Sequence, residues 1–175
     1  KETIAFPTVR RDDSTGRGGV YQTDIQIDSQ DKVHSTYTVY DSAMYEGLWY
    51  ASGNREDWNM VKIQDSTNFW SSSIALDSND EAHVSYESSS DEIRYAHQGV
   101  NDTWNKSTVD NSSSFSDSSI VMDINDRPHI VYIDTDTDDL KYATHSATSW
   151  DINEISQDMD YSATTALGLA ENGGL

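Results

Sequence analysis

The chain contains no cysteine. That excludes disulfides, Cys-ligated zinc, iron–sulfur clusters and thiol catalysis. It leaves the compartment open, since disulfide-free secreted proteins are common. Positive charge is also scarce: 5 Lys and 6 Arg stand against 23 Asp and 8 Glu, for a net charge of −20. A chain with no basic face does not bind a phosphate backbone, which excludes nucleic acid as a direct partner. The same balance excludes an anionic membrane surface. No apolar run approaches the ~20 residues of a membrane span, so no membrane insertion is expected. The opening residues KETIAF do not form a signal peptide, although a mature chain would have lost one. No stretch carries a helical period. A Gly-rich phosphate loop, a nucleophile elbow and a His-x-x-x-His pair are all missing.

What remains is a chain of 175 residues, long enough for one domain with a core. Its 10 Tyr and 5 Trp argue against wholesale disorder. The acidity is mostly Asp. At low salt such a chain repels itself, and the screening length falls from ~10 Å at 0.1 M to ~3 Å at 1 M. The composition suits work in concentrated salt or with divalent cations, hence a halophilic or marine origin. An acidic secreted protein without salt adaptation is the other reading.

Three segments align when Ile25, Ile74 and Ile120 are placed under one another. Each has an Asp (Asp28, Asp77, Asp123), then a His six residues on (His34, His83, His129) and a Tyr three further (Tyr37, Tyr86, Tyr132). An apolar-x-Tyr-Ala element follows: Leu48–Ala51, Ile93–Ala96 and Leu140–Ala143. A Trp closes each unit, at 58, 104 and 150. Within a unit, short stretches of period-two alternation mark four strands. In the second unit these are Ser73–Asp77, Ala82–Glu87, Glu92–His97 and Trp104–Val109. Turns rich in Asp, Ser, Asn and Gly separate them.

Four antiparallel strands repeated every 46 or so residues predict an all-β chain, a β-propeller of four-stranded antiparallel blades. About three and a half blades are expected. Residues 1–19 supply the N-terminal strand of a blade closed elsewhere. Blades follow at 20–65, 66–111 and 112–158. Residues 159–175 give the first strand of an incomplete fourth. Propellers close with roughly 4–8 blades. Three completions fit the count: further blades of a longer chain, a homo-oligomeric ring, or pairing with another protein.

The sequence resembles a bacterial and archaeal group of propellers with blades of the type SIALDsnGxPHIxYxxxxxxLKYAxxxxxxW. Residues 118–150, SSIVMDINDRPHIVYIDTDTDDLKYATHSATSW, carry the likeness most sharply. Similar repeats occur in cell-surface proteins and are distantly related to sialidase-like propellers. Here Asp31, Asp80 and Asp126 replace the usual Gly of the first turn. The sialidase box Ser-x-Asp-x-Gly-x-x-Trp is not reproduced: Ser78-Asn79-Asp80-Glu81-Ala82 lacks its Gly. The resemblance therefore implies the fold and a surface location (extracellular, cell or virion) rather than sialidase chemistry.

The candidate ligand-binding residues are aromatics that recur just before the first strand of a blade, Trp70, Phe115 and Tyr161, with Tyr45 in the longest B–C loop. Platforms of this kind stack on sugars. Packing between blades is the competing role. The run Asp134-Thr135-Asp136-Thr137-Asp138-Asp139 alternates acids as Ca²⁺ loops do, so Asp134, Asp136 and Asp138 are the candidate ligands of a possible Ca²⁺. The competing role is a solvated hairpin tip. The three aligned His each read as bonding the Asp six residues earlier. His97 and His145 do not align and read as surface. No catalytic residue stands out among 31 acids. The expected function is a non-enzymatic module for assembly, adhesion or glycan binding. Part of a glycoside hydrolase or polysaccharide lyase propeller is the alternative, and a purely structural self-assembling subunit the third.

Overall fold

The computed structural model describes residues 19–40, 46–54, 57–65, 71–88, 90–112, 114–146, 148–157 and 164–168. They form three four-stranded antiparallel sheets and a single 3₁₀ turn, Val100–Asp102. Sheet 1 contains β1 (Gly19–Ile27), β2 (Val33–Tyr40), β3 (Gly47–Asn54) and β4 (Asp57–Gln64). Sheet 2 contains β5 (Ser72–Leu76), β6 (Ala82–Glu87), β7 (Ile93–Gln98) and β8 (Trp104–Asp110). Sheet 3 contains β9 (Phe115–Met122), β10 (Pro128–Asp134), β11 (Asp139–His145) and β12 (Trp150–Ser156). Strand order follows chain order in each sheet. In sheet 2 the strands read from alternation lie within a residue of those observed.

The sheets stack face to face; the two junctions hold two core clusters, and a third, of Tyr37, Val39 and Ala51, lies in sheet 1. Leu48, Tyr50 and Ile63 of sheet 1 pack on Ile74, Val84 and Tyr86 of sheet 2. Ile93, Tyr95 and Val109 of sheet 2 pack on Phe115, Ile120, Ile130 and Tyr132 of sheet 3. A shift of register recurs at the same repeat position in every sheet, at Leu48/Trp49, Ile93/Arg94 and Leu140/Lys141. The fourth strand carries the extra residue: Ile63, Val109 or Ile155. Such a bulge re-aims one side chain. Ile63 and Val109 are turned into the next sheet and are buried, while Ile155, with no sheet beyond it among the described residues, is 55% exposed. At the opposite end, Ile25 is 58% exposed where its counterpart Ile74 is 1% exposed.

The first strands contact one another through side chains. Asp24 accepts the Ile74 N–H at 2.9 Å, the Ser73 hydroxyl accepts that of Ile120 at 3.4 Å, and the Ser119 hydroxyl accepts that of Leu167 at 3.1 Å. Residues 164–168 thus lie against β9 as β9 lies against β5.

The turns after β1, β5 and β9 explain two recurrent residues. Asp28 Oδ1 accepts the N–H groups of Gln30 and Lys32, and Asp77 and Asp123 do the same in their turns. Asp31, Asp80 and Asp126 hold φ of 62°, 63° and 57°, the left-handed region that usually takes Gly. Two of them return the cost as clasps between sheets. Asp80 accepts the N–H and hydroxyl of Ser29, and Asp126 accepts those of Ser78 at 2.8 and 2.6 Å. Sheet 3 has Ile124 where sheets 1 and 2 have Ser29 and Ser78, so it offers no hydroxyl for a further clasp.

Candidate binding cleft between sheets 2 and 3

Each sheet repeats one buried Asp–His–Tyr set, hydrogen-bonded throughout in sheet 1 and through the His–Tyr contact alone in sheets 2 and 3. His34 Nε2 lies 3.1 Å from Asp28 Oδ2, and its Nδ1 lies 2.7 Å from the Tyr50 hydroxyl. His129 lies between Asp123 (3.4 Å) and Tyr142 (2.5 Å) in the same way. His83 lies between Asp77 (3.5 Å) and Tyr95. In every sheet the phenol holds the ring by a hydrogen bond to Nδ1, and in sheet 1 the Asp28 carboxylate bonds it from the other side. Burial holds the Tyr50 and Tyr95 phenols above their ordinary range, so neither supplies a phenolate nucleophile. Burial also lowers the His83 imidazole, against the pull of Asp77.

Above the second set lies a cleft of about 360 Å³ lined by Tyr95, His97, Asn105, Ser107, Asp126 and His145, with Lys106 and Pro128 completing the wall. Its rings are ordered. His97 stacks on His83 and on Tyr95, each at 5.7 Å between centroids. Trp150 meets Tyr95 edge-on at 5.3 Å, and His145 meets Trp150 edge-on at 5.0 Å.

The matching place between sheets 1 and 2 is built differently. Tyr50 and Trp104 repeat the Tyr95–Trp150 contact at 5.2 Å. There, however, Gln98 Oε1 accepts the Ala82 N–H at 2.8 Å and ties the sheet edge shut. Between sheets 2 and 3 the Ala82 position is Pro128, which has no N–H to donate. The Gln98 position is His145, and the small Ser52 is replaced by His97. Three differences between the two junctions thus coincide at one place.

The cleft is neutral to acidic. Lys106 Nζ bonds the Ile63 carbonyl at 2.7 Å and Gln64 Oε1 at 2.9 Å, so its charge is drawn to sheet 1. Asp126 is the carboxylate in the lining, and the Ser78 hydroxyl and N–H hold it below the usual carboxylate range. Aromatic faces, amide and hydroxyl groups and one carboxylate suit a small polyhydroxylated ligand.

The residues singled out from sequence fall elsewhere. Trp70, Tyr161 and Tyr45 lie outside the described residues. Phe115 is 3% exposed, packed edge-on against Tyr132 at 5.3 Å with Lys141 Nζ at 5.5 Å. Its faces are spent on packing. The three Asp do not converge. Asp134 is buried and its Oδ2 meets Lys141 Nζ at 2.6 Å. Asp136 Oδ2 accepts the Ser114 N–H at 3.1 Å, and Asp138 sits in the turn with φ 57°. Among the described residues no three His, Asp or Glu gather as a metal would require. Lys141 also reaches Asp110 at 3.5 Å, and Tyr132 donates to Asp110 at 2.8 Å. Burial opposes the Lys141 charge, but Asp134 and Asp110 outweigh it and raise its pKa.

His97 and His145 read as surface residues because they do not align. They line one cleft because adjacent sheets contribute different repeat positions to one junction. The signal available in the sequence was their departure from the repeat: Ser52, His97, Thr144 at one position and Gly53, Gln98, His145 at the next.

No protein-family model and no curated protein matches the chain. Solved structures do. The crystal structure of AofleA from Arthrobotrys oligospora is similar with a TM-score of 0.53 at 10% identity, over 86% of this chain and 48% of that one. A triple arginine-to-alanine mutant of the same protein gives 0.54 at 11% identity, over 81% and 43%. This chain spans less than half the length of those proteins, and the likeness is one of fold.

Proposed function

We propose that the chain is an arc of a β-propeller of cell-surface or virion-surface type that binds glycans, with the cleft between sheets 2 and 3 as its sugar site. The single observation that carries this reading is the cleft between sheets 2 and 3, at the place where the Gln98–Ala82 bond has no counterpart. His97, Pro128 and His145 remove the Gln98–Ala82 tie and leave an aromatic wall faced by Asn105, Ser107 and Asp126. The blade-type repeat supports the propeller. The volume is at the small end for ligand sites of ~300–1,000 Å³ and suits one or two sugar rings. Asp126 and the overall charge of −20 favour neutral or amino sugars over uronic or sulfated ones.

The test is binding of immobilised neutral glycans in molar salt by the native chain and by a closed-junction variant, His97→Ser with Pro128→Ala and His145→Gln, which restores the N–H that the tie needs. Binding that disappears in the variant while the fold survives is the expected result. Binding that survives there but is lost in Trp70→Ala moves the site to the loops before the first strands. No binding to any glycan leaves assembly, which the exposed Ile25, Ile27 and Ile155 independently favour.

A further inference from the structure

The cleft between sheets 2 and 3 carries a negative charge that its neighbours do not neutralise. Asp126 is half-buried in the lining. The Ser78 N–H bonds its Oδ1 at 2.8 Å and the Ser78 hydroxyl its Oδ2 at 2.6 Å. Those bonds hold the carboxyl below its usual range, so it is ionised at neutral pH. An ionised carboxylate accepts at about four lone-pair sites, and Ser78 takes only two of them. The cations of the neighbourhood are engaged elsewhere. Lys106 Nζ is turned to the Ile63 carbonyl and to Gln64 in sheet 1. Arg127, next to Asp126 in the turn, meets Asp123 Oδ2 through Nε at 2.8 Å and Nη2 at 2.7 Å.

A second acceptor lines the same cleft. His97 Nδ1 lies 3.0 Å from the Gln98 carbonyl. A carbonyl only accepts, so Nδ1 carries the proton, and the neutral ring keeps Nε2 as an acceptor. Asn105 adds an amide and Ser107 a hydroxyl. A lining that is negative and rich in acceptors is the complement of an ammonium group, which has three donors and no acceptor. An acetamido nitrogen has one donor and no charge, and a sugar hydroxyl has no charge.

We propose that the cleft selects a free amine: its ligand is an amino sugar whose protonated, unacetylated amino group is received by Asp126, the residue that decides for it over the N-acetylated sugar. This rests on the cleft being the sugar site. Asp80 supplies an internal comparison. It stands at the same repeat position, and Ser29 bonds its carboxylate in the same way, but at the junction where Gln98 ties Ala82.

The experiment is calorimetric titration of the full chain with two disaccharides that differ only in acetylation, a glucosamine disaccharide and its N-acetylated form, at about pH 7 in about 0.5 M NaCl. Native protein, Asp126→Asn and Asp80→Asn are compared. Asn tolerates the left-handed backbone at both positions and keeps an acceptor for the serine. The expected result is that native protein and Asp80→Asn bind the free amine about fivefold or more tighter than the acetylated form, and that Asp126→Asn loses this preference. Equal binding of the two by native protein, or tighter binding of the acetylated form, overturns the proposal and leaves the sugar site standing. A preference undiminished in Asp126→Asn also overturns it, because the selection then belongs to the charge of the whole chain. Binding of neither disaccharide by native protein removes this proposal together with the sugar site.

Discussion

The clasp between Ser78 and Asp126 gives the left-handed Asp126 a role in joining two sheets, and its energy can be isolated. Asp126→Gly removes the carboxylate that receives Ser78 N–H at 2.8 Å and Ser78 Oγ at 2.6 Å. It also relieves a φ of 57°. That relief is worth about 1 kcal/mol, and the extra chain entropy of glycine takes back about 0.5–1 kcal/mol. The backbone effects nearly cancel, so the loss reports the clasp. Charge-assisted bonds are worth about 1.5–3 kcal/mol when buried. Here Ser78 is exposed and Asp126 half-buried, and solvent screening reduces the sum to about 0.5–1.5 kcal/mol. The assay is urea unfolding of native protein, Ser78→Ala, Asp126→Gly and the double variant. The hydroxyl half of the clasp gives an expected coupling energy of about 0.5–1 kcal/mol, smaller in molar salt. It is pH-dependent with a definite sign. Ser78 holds the Asp126 carboxyl below its ordinary value, so the stabilisation is complete above the ordinary Asp range and is lost as pH falls through the folded-state value. A coupling under about 0.3 kcal/mol, or a more stable Asp126→Gly, refutes the reasoning.

Two further outcomes follow from buried charge. Lys141→Met leaves Asp134 and Asp110 facing each other without their cation, and is expected to cost about 3–5 kcal/mol in denaturant unfolding. Adding Asp134→Leu recovers part of that loss, and no recovery means the lysine acts through its stem alone. His83 is held neutral by burial, while the unfolded chain takes up a proton below about pH 6.5. Stability should therefore decline as pH drops below that value, and His83→Gln should shallow the decline. An unchanged slope assigns the acid sensitivity to the carboxylates.

Much of the architecture was legible because strand alternation and turn chemistry are local. The first three strands of the second unit can be read from Ile74, Leu76, Val84, Tyr86, Ile93 and Tyr95 alone. The pairing of His34 with Asp28 was legible too, since a six-residue separation across a tight turn brings the two together. The same turn explains the left-handed Asp31, Asp80 and Asp126, but not their clasps, because Ser29 and Ser78 belong to the preceding sheet.

What the tertiary structure decided lies at the junctions. Asp134 looks like a cation ligand within its own hairpin, yet Lys141 on the neighbouring strand takes its carboxylate. Phe115 looks like a platform at the end of a loop, yet Tyr132 and the next sheet cover it. His97 and His145 sit 48 residues apart at unaligned positions and still line one cleft. Period and spacing along one strand specify which face a side chain takes. They do not specify what the adjacent sheet presents to that face, and burial, pairing and the opening of a site are all set there.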